Sequence, residues 1–546
     1  MSKEITWSRM NLKEVISELP YPLTQSFFMK ANKILFVEQY KRMGYVLPED
    51  IELIKAFYGR PYFNVNIMMK MTNDYGTDPE IIKMTMGGFQ PIEKLDKLSF
   101  FGQIKMIFTY IKSFILLSNI DKVSKNSFKA ISDRYRTDFN RDLRSITDKE
   151  AIEYLDSIDE LVIKNDLTLI VGGFATYSYR ELRKLLKSLN VENPDDIINQ
   201  LVTGTDNIIS ANQNLELMRL AGYVKDNGLE SLLEEDYDKI SDTKFKQMLT
   251  EFLHKFGHRG LYEGCVENPR YYENPTSILK IIKDYVKAGM IHPQDVINRQ
   301  KKIREDATEN ILKHNGLSYF KKKLFKNHLD SYIHFMALRE ENRYHYAMTF
   351  TLLRRHYLEI GRRFAEKGIL EEQHDIFFLL IPEVKKLLSG EKGDFKKVVD
   401  ERKSERERNS RYHVPDVFVG EFKPEMVKEN VRKLKKVFTG YSASSGIVQG
   451  RARIIHSPEE FGRFKAGEIL VAPTTDPMWS NLFPIAKAVV TEMGGVLSHA
   501  SIVAREYGTP CVVNVQGIVD ALKDGDLIEV DGKSGLVRIL TEEIIS

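Results

Sequence analysis

One stretch limits the possible folds of this chain more than any other: AVVTEMGGVLSHASIVAREYGTP, residues 488–510. Ala488-Val489-Val490 is an apolar run that predicts the end of a buried strand. From Ala500 onward, Ile502, Val503 and Tyr507 mark the apolar side of a short helix, and Gly508-Thr509-Pro510 stops it. His499 then stands at or just before a helix N-terminus. Free backbone N–H groups and the positive end of the helix dipole favour an anion there. Gly494 and Gly495 let the backbone approach closely, and Thr491 and Ser498 add hydroxyl donors. An imidazole among such donors suits a nucleophile that carries a phosphoryl group. Taken piecemeal, Gly-Gly or Ser-His also fits an ordinary turn with a surface histidine.

The chain has 546 residues, enough for about two to four domains. Its net charge of +3 is too small to argue for nucleic acid or a membrane as partner. The two cysteines, Cys265 and Cys511, lie far apart and define neither a disulfide framework nor a thiolate metal site. No metal ligands are predicted. The opening MSKEITWSRMNLKEV lacks the apolar core of a signal peptide, and no run approaches the roughly 20 apolar residues of a membrane span. A cytoplasmic protein is the expectation.

Taken in order, the chain changes character twice. Pro20 and Pro22 signal turns, and a short helical stretch is expected before FYGRPYFNVNIMM at 57–69. Residues 95–255 read mostly as helix. In KFKQMLTEFLHKFG, the residues Phe245, Met248, Leu249, Phe252, Leu253 and Phe256 form one stripe, with Gly257 as the residue that ends it. The loop GHRGLYEGCVENPRYYENP, residues 257–275, gathers His258, Arg259, Glu263, Glu267 and Arg270. Such a loop is either a solvated charged turn or a site. Between Leu338 and Lys367, the residues Tyr346, Phe350, Leu353, Tyr357, Ile360 and Phe364 mark a buried helix face, and the same spacing run backward lands on Arg343 and Arg339. Arginine is seldom buried unpaired. Either the helix end emerges into water, or partners such as Glu340 and Glu263 neutralise the arginines, or the arginines form a cationic wall for phosphate. Residues 390–436 are charged and read as a connector. From Val437, short β-rich runs alternate with glycines and predict a small α/β (β/β/α) unit.

The string Thr491, Gly494-Gly495, Ser498-His499-Ala500, Ala504-Arg505-Glu506, Gly508 and Pro510 resembles the phosphohistidine signature of the PEP-utilising enzymes: phosphoenolpyruvate synthase, pyruvate phosphate dikinase and rifampin phosphotransferase. Ser444-Ser445-Gly446, Gly450-Arg451-Ala452, Ala472-Pro473-Thr474-Thr475-Asp476-Pro477 and the closing VDGKSGLVRIL complete the resemblance to their swivelling domain. The Gly-His-Arg-Gly loop and RENRYHYAMTFTLLRRHYLEIGRRFAEKGIL resemble the central domain of the rifampin phosphotransferase type. The resemblance implies a multidomain chain. Residues 1–400 would be a mostly α-helical acceptor-binding domain, 401–436 a charged linker, and 437–546 the mobile domain. His499 would be the residue phosphorylated, with Thr491, Gly494, Gly495, Ser498, Arg339 and Arg343 binding phosphate. His258, Arg259 and Glu263 would serve acceptor chemistry, with His258 taking a proton near neutral pH.

No stretch fills the role of the family's ATP-grasp domain. ATP and Mg²⁺ are therefore expected through a separate ATP-grasp partner, with no cofactor in this chain itself. A small-molecule acceptor is expected, with phosphotransfer as the activity. The alternatives are a ligase-like condensing enzyme using the same phosphohistidine, or a non-catalytic small-molecule-binding relative.

Overall fold

Apolar residues at steps of three and four along 319–366 build the longest element of the fold. The structure is a computed structural model that describes residues 4–9, 12, 13, 16, 19–45, 47, 52–74, 100–205, 208–426 and 436–540. The helical unit begins with α1 (Pro22–Arg42), α2 (Val65–Asp74), α3 (Phe100–Ser118), α4 (Ile120–Phe139) and α5 (Asp148–Asn165). It continues through α6 (Thr168–Ser188), α7 (Pro194–Leu201), α8 (Ile209–Asp226), α9 (Thr243–Phe256), α10 (Thr276–Ala288) and α11 (Pro293–Leu312). The long helix is α12 (Tyr319–Glu366), 48 residues or roughly 72 Å at the rise of an α-helix.

The sequence places that helix at 338–367, yet it begins at Tyr319. Its first turns carry Lys322, Lys323 and Lys326 exposed, with Lys321 half-buried, and bury only Phe325 and Leu329, so the stripe there is thin. Further along, Tyr332, Phe335 and Met336 pack towards α6, where Phe174 meets Phe335 with ring centroids 5.2 Å apart. The C-terminal half buries Phe350, Leu353, Tyr357, Ile360 and Phe364 in a second core with α1, α5 and α13 (Ile381–Leu388).

Two short pieces of the chain differ from the sequence expectation. The stretch before Phe57 is strand, β2 (Ile54–Phe57), which turns at Tyr58 (φ 49°) and Gly59 (φ 73°) into β3 (Arg60–Asn64). Two left-handed residues make the tight turn whose twist suits a hairpin. The hairpin belongs to a four-stranded sheet in which β1 (Thr6–Ser8) lies between β3 and β5 (Val417–Val419). The connector is therefore partly built into the helical unit. Its charged stretch forms α14 (Phe395–Ser410), a solvated helix that buries Val399 and Asn409. The two-residue strands β4 (Tyr412–His413) and β6 (Glu425–Met426) pair around β5. Residues 427–435 of the expected linker, and 541–546 of the expected C-terminal domain, lie outside the described residues.

The C-terminal unit has an eight-stranded sheet made of β7 (Val437–Thr439), β8 (Tyr441–Ser444), β9 (Ile447–Ile454), β10 (Ile469–Ala472), β11 (Ala488–Thr491), β12 (Cys511–Val513), β13 (Leu527–Asp531) and β14 (Leu536–Ile539). The order is β7-β14-β13-β9-β10-β11-β12-β8. Strands β9 to β12 run parallel. Every residue of β10, β11 and β12 is buried, as parallel strands covered on both faces require. Two helices connect its strands, α15 (His499–Tyr507) between β11 and β12 and α16 (Ile518–Ala521) between β12 and β13. A mostly helical domain followed by a small α/β domain is the expected fold class, and the structure has it. The two share one continuous core: Trp479, Phe483, Val503 and Tyr507 join the cluster that holds Leu217, Phe256 and Tyr285. Among the described residues, no helix is long and apolar enough to cross a membrane.

Candidate active site

The histidine is positioned by the strand-loop-helix turn read from the sequence. Thr491 ends β11, and Gly494 adopts φ 123°, a conformation that side chains rarely take. A Cβ there would also stand 3.0 Å from Ser498 Oγ. Ser498 caps α15, its Oγ accepting from Ser501 N at 3.4 Å. Gly495 presents its carbonyl inward, accepting from Ser498 N at 2.9 Å and from Ser501 Oγ at 2.7 Å. Arg505 ties the helix down by donating from Nε to Ala443 O at 2.9 Å and from Nη2 to Val496 O. His499 is the first residue of α15 and is fully buried. Both of its ring nitrogens, and Thr491 Oγ1, lack a hydrogen-bond partner among the described residues. Buried polar atoms are nearly always paired, so three idle ones around one turn mark a place built for a group that comes and goes.

The helical unit faces this turn with arginines. Burial pushes the His499 imidazole well below its usual pKa, and Arg343, Arg259 and Arg339 push it further in that order. The 257–263 loop and α12 meet here across 80 residues of sequence, because Glu263 bridges them. Its carboxylate takes Arg259 Nε at 2.5 Å and Arg343 Nε at 3.4 Å. Burial opposes ionisation of Glu263, but Arg259 and Arg343 hold its carboxyl below the ordinary value. Arg259 Nη1 also donates to Ser210 Oγ at 3.4 Å, and Ser210 donates to Glu340 Oε2 at 2.7 Å. Glu340 lies 3.6 Å from Arg339. Of the three arginines, Arg259 is wholly buried, whereas the Arg343 and Arg339 side chains keep 16% and 25% exposure. Those two are the ones an incoming ligand can reach.

Asp476 closes the cluster from the C-terminal unit. It follows β10, whose last residue Ala472 pairs in register with Thr491, so Asp476 and His499 leave adjacent parallel strands at the same end. Its Oδ2 accepts from Tyr262 N at 3.2 Å and its Oδ1 from Met478 N at 2.8 Å. Burial raises its pKa to about 7, against the pull of Arg343.

His258 is held differently. Its carbonyl accepts from Thr351 Oγ1 at 3.0 Å, and its ring packs edge-on against Tyr344 at 4.5 Å and Tyr135 at 5.7 Å. Burial, then Arg259, pushes its pKa well below the usual value. The expectation of an imidazole titrating near neutral pH runs against this direction: packed in an aromatic nest, His258 is held below its ordinary value. Gly257 before it has an ordinary helical φ of −61° rather than the left-handed one expected of a terminating glycine. It is needed because a Cβ would lie 2.3 Å from Leu253 O. Ser210 and Asp476 were not among the candidate residues. Asp476 stood in the Ala472–Pro477 string without a role, and nothing in the sequence around Ser210 signals one.

The units are clamped around α15. Tyr507 Oη donates to Ala211 O at 3.0 Å, Arg299 Nη2 to Tyr507 O at 2.7 Å, and Asn214 Nδ2 to Ser480 O at 2.8 Å. Thr205 Oγ1 reaches the Glu506 carboxyl at 3.1 Å, and burial raises the Glu506 pKa to about 8. Among the described residues no cluster of His, Cys, Asp and Glu is arranged to hold a metal ion.

A helical unit whose arginines cover a histidine at a helix N-terminus of a docked α/β unit defines a two-domain, histidine-centred class. Comparison with known proteins places the chain within it. Residues 464–535 match the mobile domain of PEP-utilising enzymes, and residues 168–340 match the fourth domain of rifampicin phosphotransferase. Over these two stretches the chain is similar to the PEP-utilising enzymes. It is 25% identical over 449 residues to rifampicin phosphotransferase of Bacillus subtilis, covering 78% of this chain and 50% of that one. An uncharacterized phosphotransferase of the same species, YvkC, is 29% identical over 336 residues, 58% of this chain and 39% of its own. The prodigiosin synthesizing transferase PigC of Serratia marcescens is 28% identical over 314 residues, 55% and 34% of the two chains. The chain thus spans half or less of the length of these relatives.

Proposed function

We propose that this chain is a phosphotransferase component that carries a phosphoryl group on His499 and passes it to a hydroxyl of a small-molecule acceptor held by the helical unit. The observation that supports it most is the buried, unpartnered imidazole of His499 facing Arg343, Arg259 and Arg339. A histidine kept neutral has a free nitrogen lone pair, so it attacks phosphorus without first losing a proton. In the second step the acceptor oxygen bonds to phosphorus as the P–N bond breaks, and the acceptor hydroxyl proton passes to a base. The arginines offset charge on the transferring oxygens. Thr491, Ser498 and the Gly494-Gly495 backbone stabilise the phosphoryl group on the imidazole. Relatives named rifampicin phosphotransferase support phosphotransfer as the reaction type.

Loading of His499 is assigned to a separate ATP-grasp protein using ATP and Mg²⁺. With the C-terminal unit docked, His499 is wholly buried against the helical unit, which leaves no room for a second protein to meet it, so loading by a partner requires an undocked state, a hinge motion between two sites. A second reading, condensation of an activated carboxylate, draws support from the likeness to PigC, a synthesizing transferase by name. Product analysis separates the two. Phosphorylated chain mixed with an acceptor should yield label on the acceptor oxygen. Inorganic phosphate together with a coupled product would instead establish the condensing reaction.

A further inference from the structure

Helix α3 turns two of its hydroxyls inward: Thr109 Oγ1 donates to Gly44 O at 3.0 Å and Ser113 Oγ to Met43 O at 3.2 Å. Met106 is buried, but most of its large apolar residues face outward. Ile104, Ile107, Phe108, Ile111, Phe114 and Ile115 are all exposed, Phe108 by 64% and Phe114 by 68%. Their spacing of three and four places them along one side of the helix. Soluble proteins seldom leave so long an apolar stripe bare unless something binds it.

The stripe does not stand alone. Asp121, just past α3, meets His334 of α12 at 2.9 Å. Tyr110 of α3 lies within electrostatic reach of Tyr177 of α6, whose ring is 6.4 Å from that of His328 on α12. The C-terminal part of α3 therefore lies on the same side of the helical unit as His328 and His334 of α12, and the start of α12 carries Tyr319 and Phe320, 88% and 68% exposed. Immediately after them come Lys321, Lys322 and Lys323, then Lys326. Between residues 311 and 330 there are five lysines and one acid, and α3 itself has Lys105 and Lys112 and no acid. The net charge of +3 averages over the chain and hides this face.

We propose that the α3 face, with Tyr319 and Phe320, docks on an anionic lipid surface. An apolar stripe bordered by lysines is the pattern of a helix that lies in the interface, with its apolar face among the acyl chains and its cations at the headgroups. A second copy of this chain fits less well. Pairing α3 with α3 would set lysines against lysines with no acid on either helix to offset them. The lysines and the exposed aromatic rings are both accounted for by one partner, a negatively charged bilayer.

Flotation of the full chain with phospholipid vesicles tests this. The chain should float with phosphatidylcholine vesicles containing about one third phosphatidylglycerol, at least about tenfold better than with phosphatidylcholine alone, and less well at high salt. Phe108→Ser with Phe114→Ser, and separately Lys322→Glu with Lys323→Glu, should each abolish flotation. All four side chains are exposed and lie outside the His499 site, so the fold and the labelling of His499 should not change. Failure of the unaltered chain to float, or flotation that both double variants retain, would overturn the proposal. So would a dimer in solution that Phe108→Ser with Phe114→Ser dissociates while the unaltered chain ignores vesicles.

Discussion

At the residue scale, the site is a set of buried charges that depend on one another. Glu263 serves two arginines, and Arg259 is wholly buried behind it. Removing one partner of a buried pair leaves an uncompensated charge, so Glu263→Gln should lower unfolding stability by about 3–5 kcal/mol, read by urea denaturation. An unchanged midpoint would show that Arg259 finds relief elsewhere. Arg343→Lys keeps the charge and loses the planar fork that suits phosphate oxygens. It should slow discharge of phosphohistidine to acceptor by about 10²-fold and leave loading of His499 unaffected. Asp476 and Glu506 make docking pH-dependent. Both have pKa values raised by burial between the units, to about 7 and about 8. A carboxyl whose pKa is raised on docking favours the docked state fully below its ordinary value, near 3.8 for Asp and 4.5 for Glu. That preference is lost as pH rises through the raised value. Fluorescence energy transfer between labels on the two units should therefore report opening as pH climbs from about 4 to about 8. Asp476→Asn should flatten the lower part of that rise. Opening as pH falls instead would reverse the sign and contradict the assignment.

At the scale of elements, what the sequence could reveal depended on how local the cause was. The His499 turn is set within twenty residues, by a strand, a glycine with positive φ, a capping serine and a helix, and each leaves a mark in the string. The arginines of α12 were visible because they interrupt an apolar stripe. Their partners were not, since Ser210 and Asp476 arrive from segments that only tertiary packing brings together. The low pKa of His258 comes from the tyrosines and arginine around it, which periodicity does not report. The three-residue strands Thr6–Ser8 and Val417–Val419 pair across some 400 positions and are too short for an alternating pattern to register. The long helix was read from its C-terminal half because only that half carries a broad apolar face. Phe350 lies at the centre of it, 4.9 Å from Phe27 and 6.2 Å from Phe28 between ring centroids. Phe350→Ala should cost about 3–5 kcal/mol by the same denaturation measurement, with loss of the α1–α12 contact. A change below about 1 kcal/mol would mean that this end of α12 is held by other contacts.

At the scale of the molecule, one continuous core and a belt of hydrogen bonds hold the mobile unit against the helical one, with His499 enclosed. On the proposed function, loading by a partner and discharge to the acceptor then take place in different arrangements. Ser445 Oγ donates to the Asp196 carboxylate across the two units, so Ser445→Cys with Asp196→Cys offers a lock. Oxidised after loading, that variant should discharge to acceptor once and fail to reload, and reduction should restore turnover. Continued reloading when oxidised would refute the hinge. The most direct measurement of the whole account is the labelling of His499 itself. Purified chain incubated with an ATP-grasp protein and ATP labelled in the β-phosphoryl group should acquire acid-labile, base-stable label at about one per chain, and His499→Ala should acquire none. Equal labelling of the unaltered chain and His499→Ala would contradict the claim that this histidine carries the phosphoryl group.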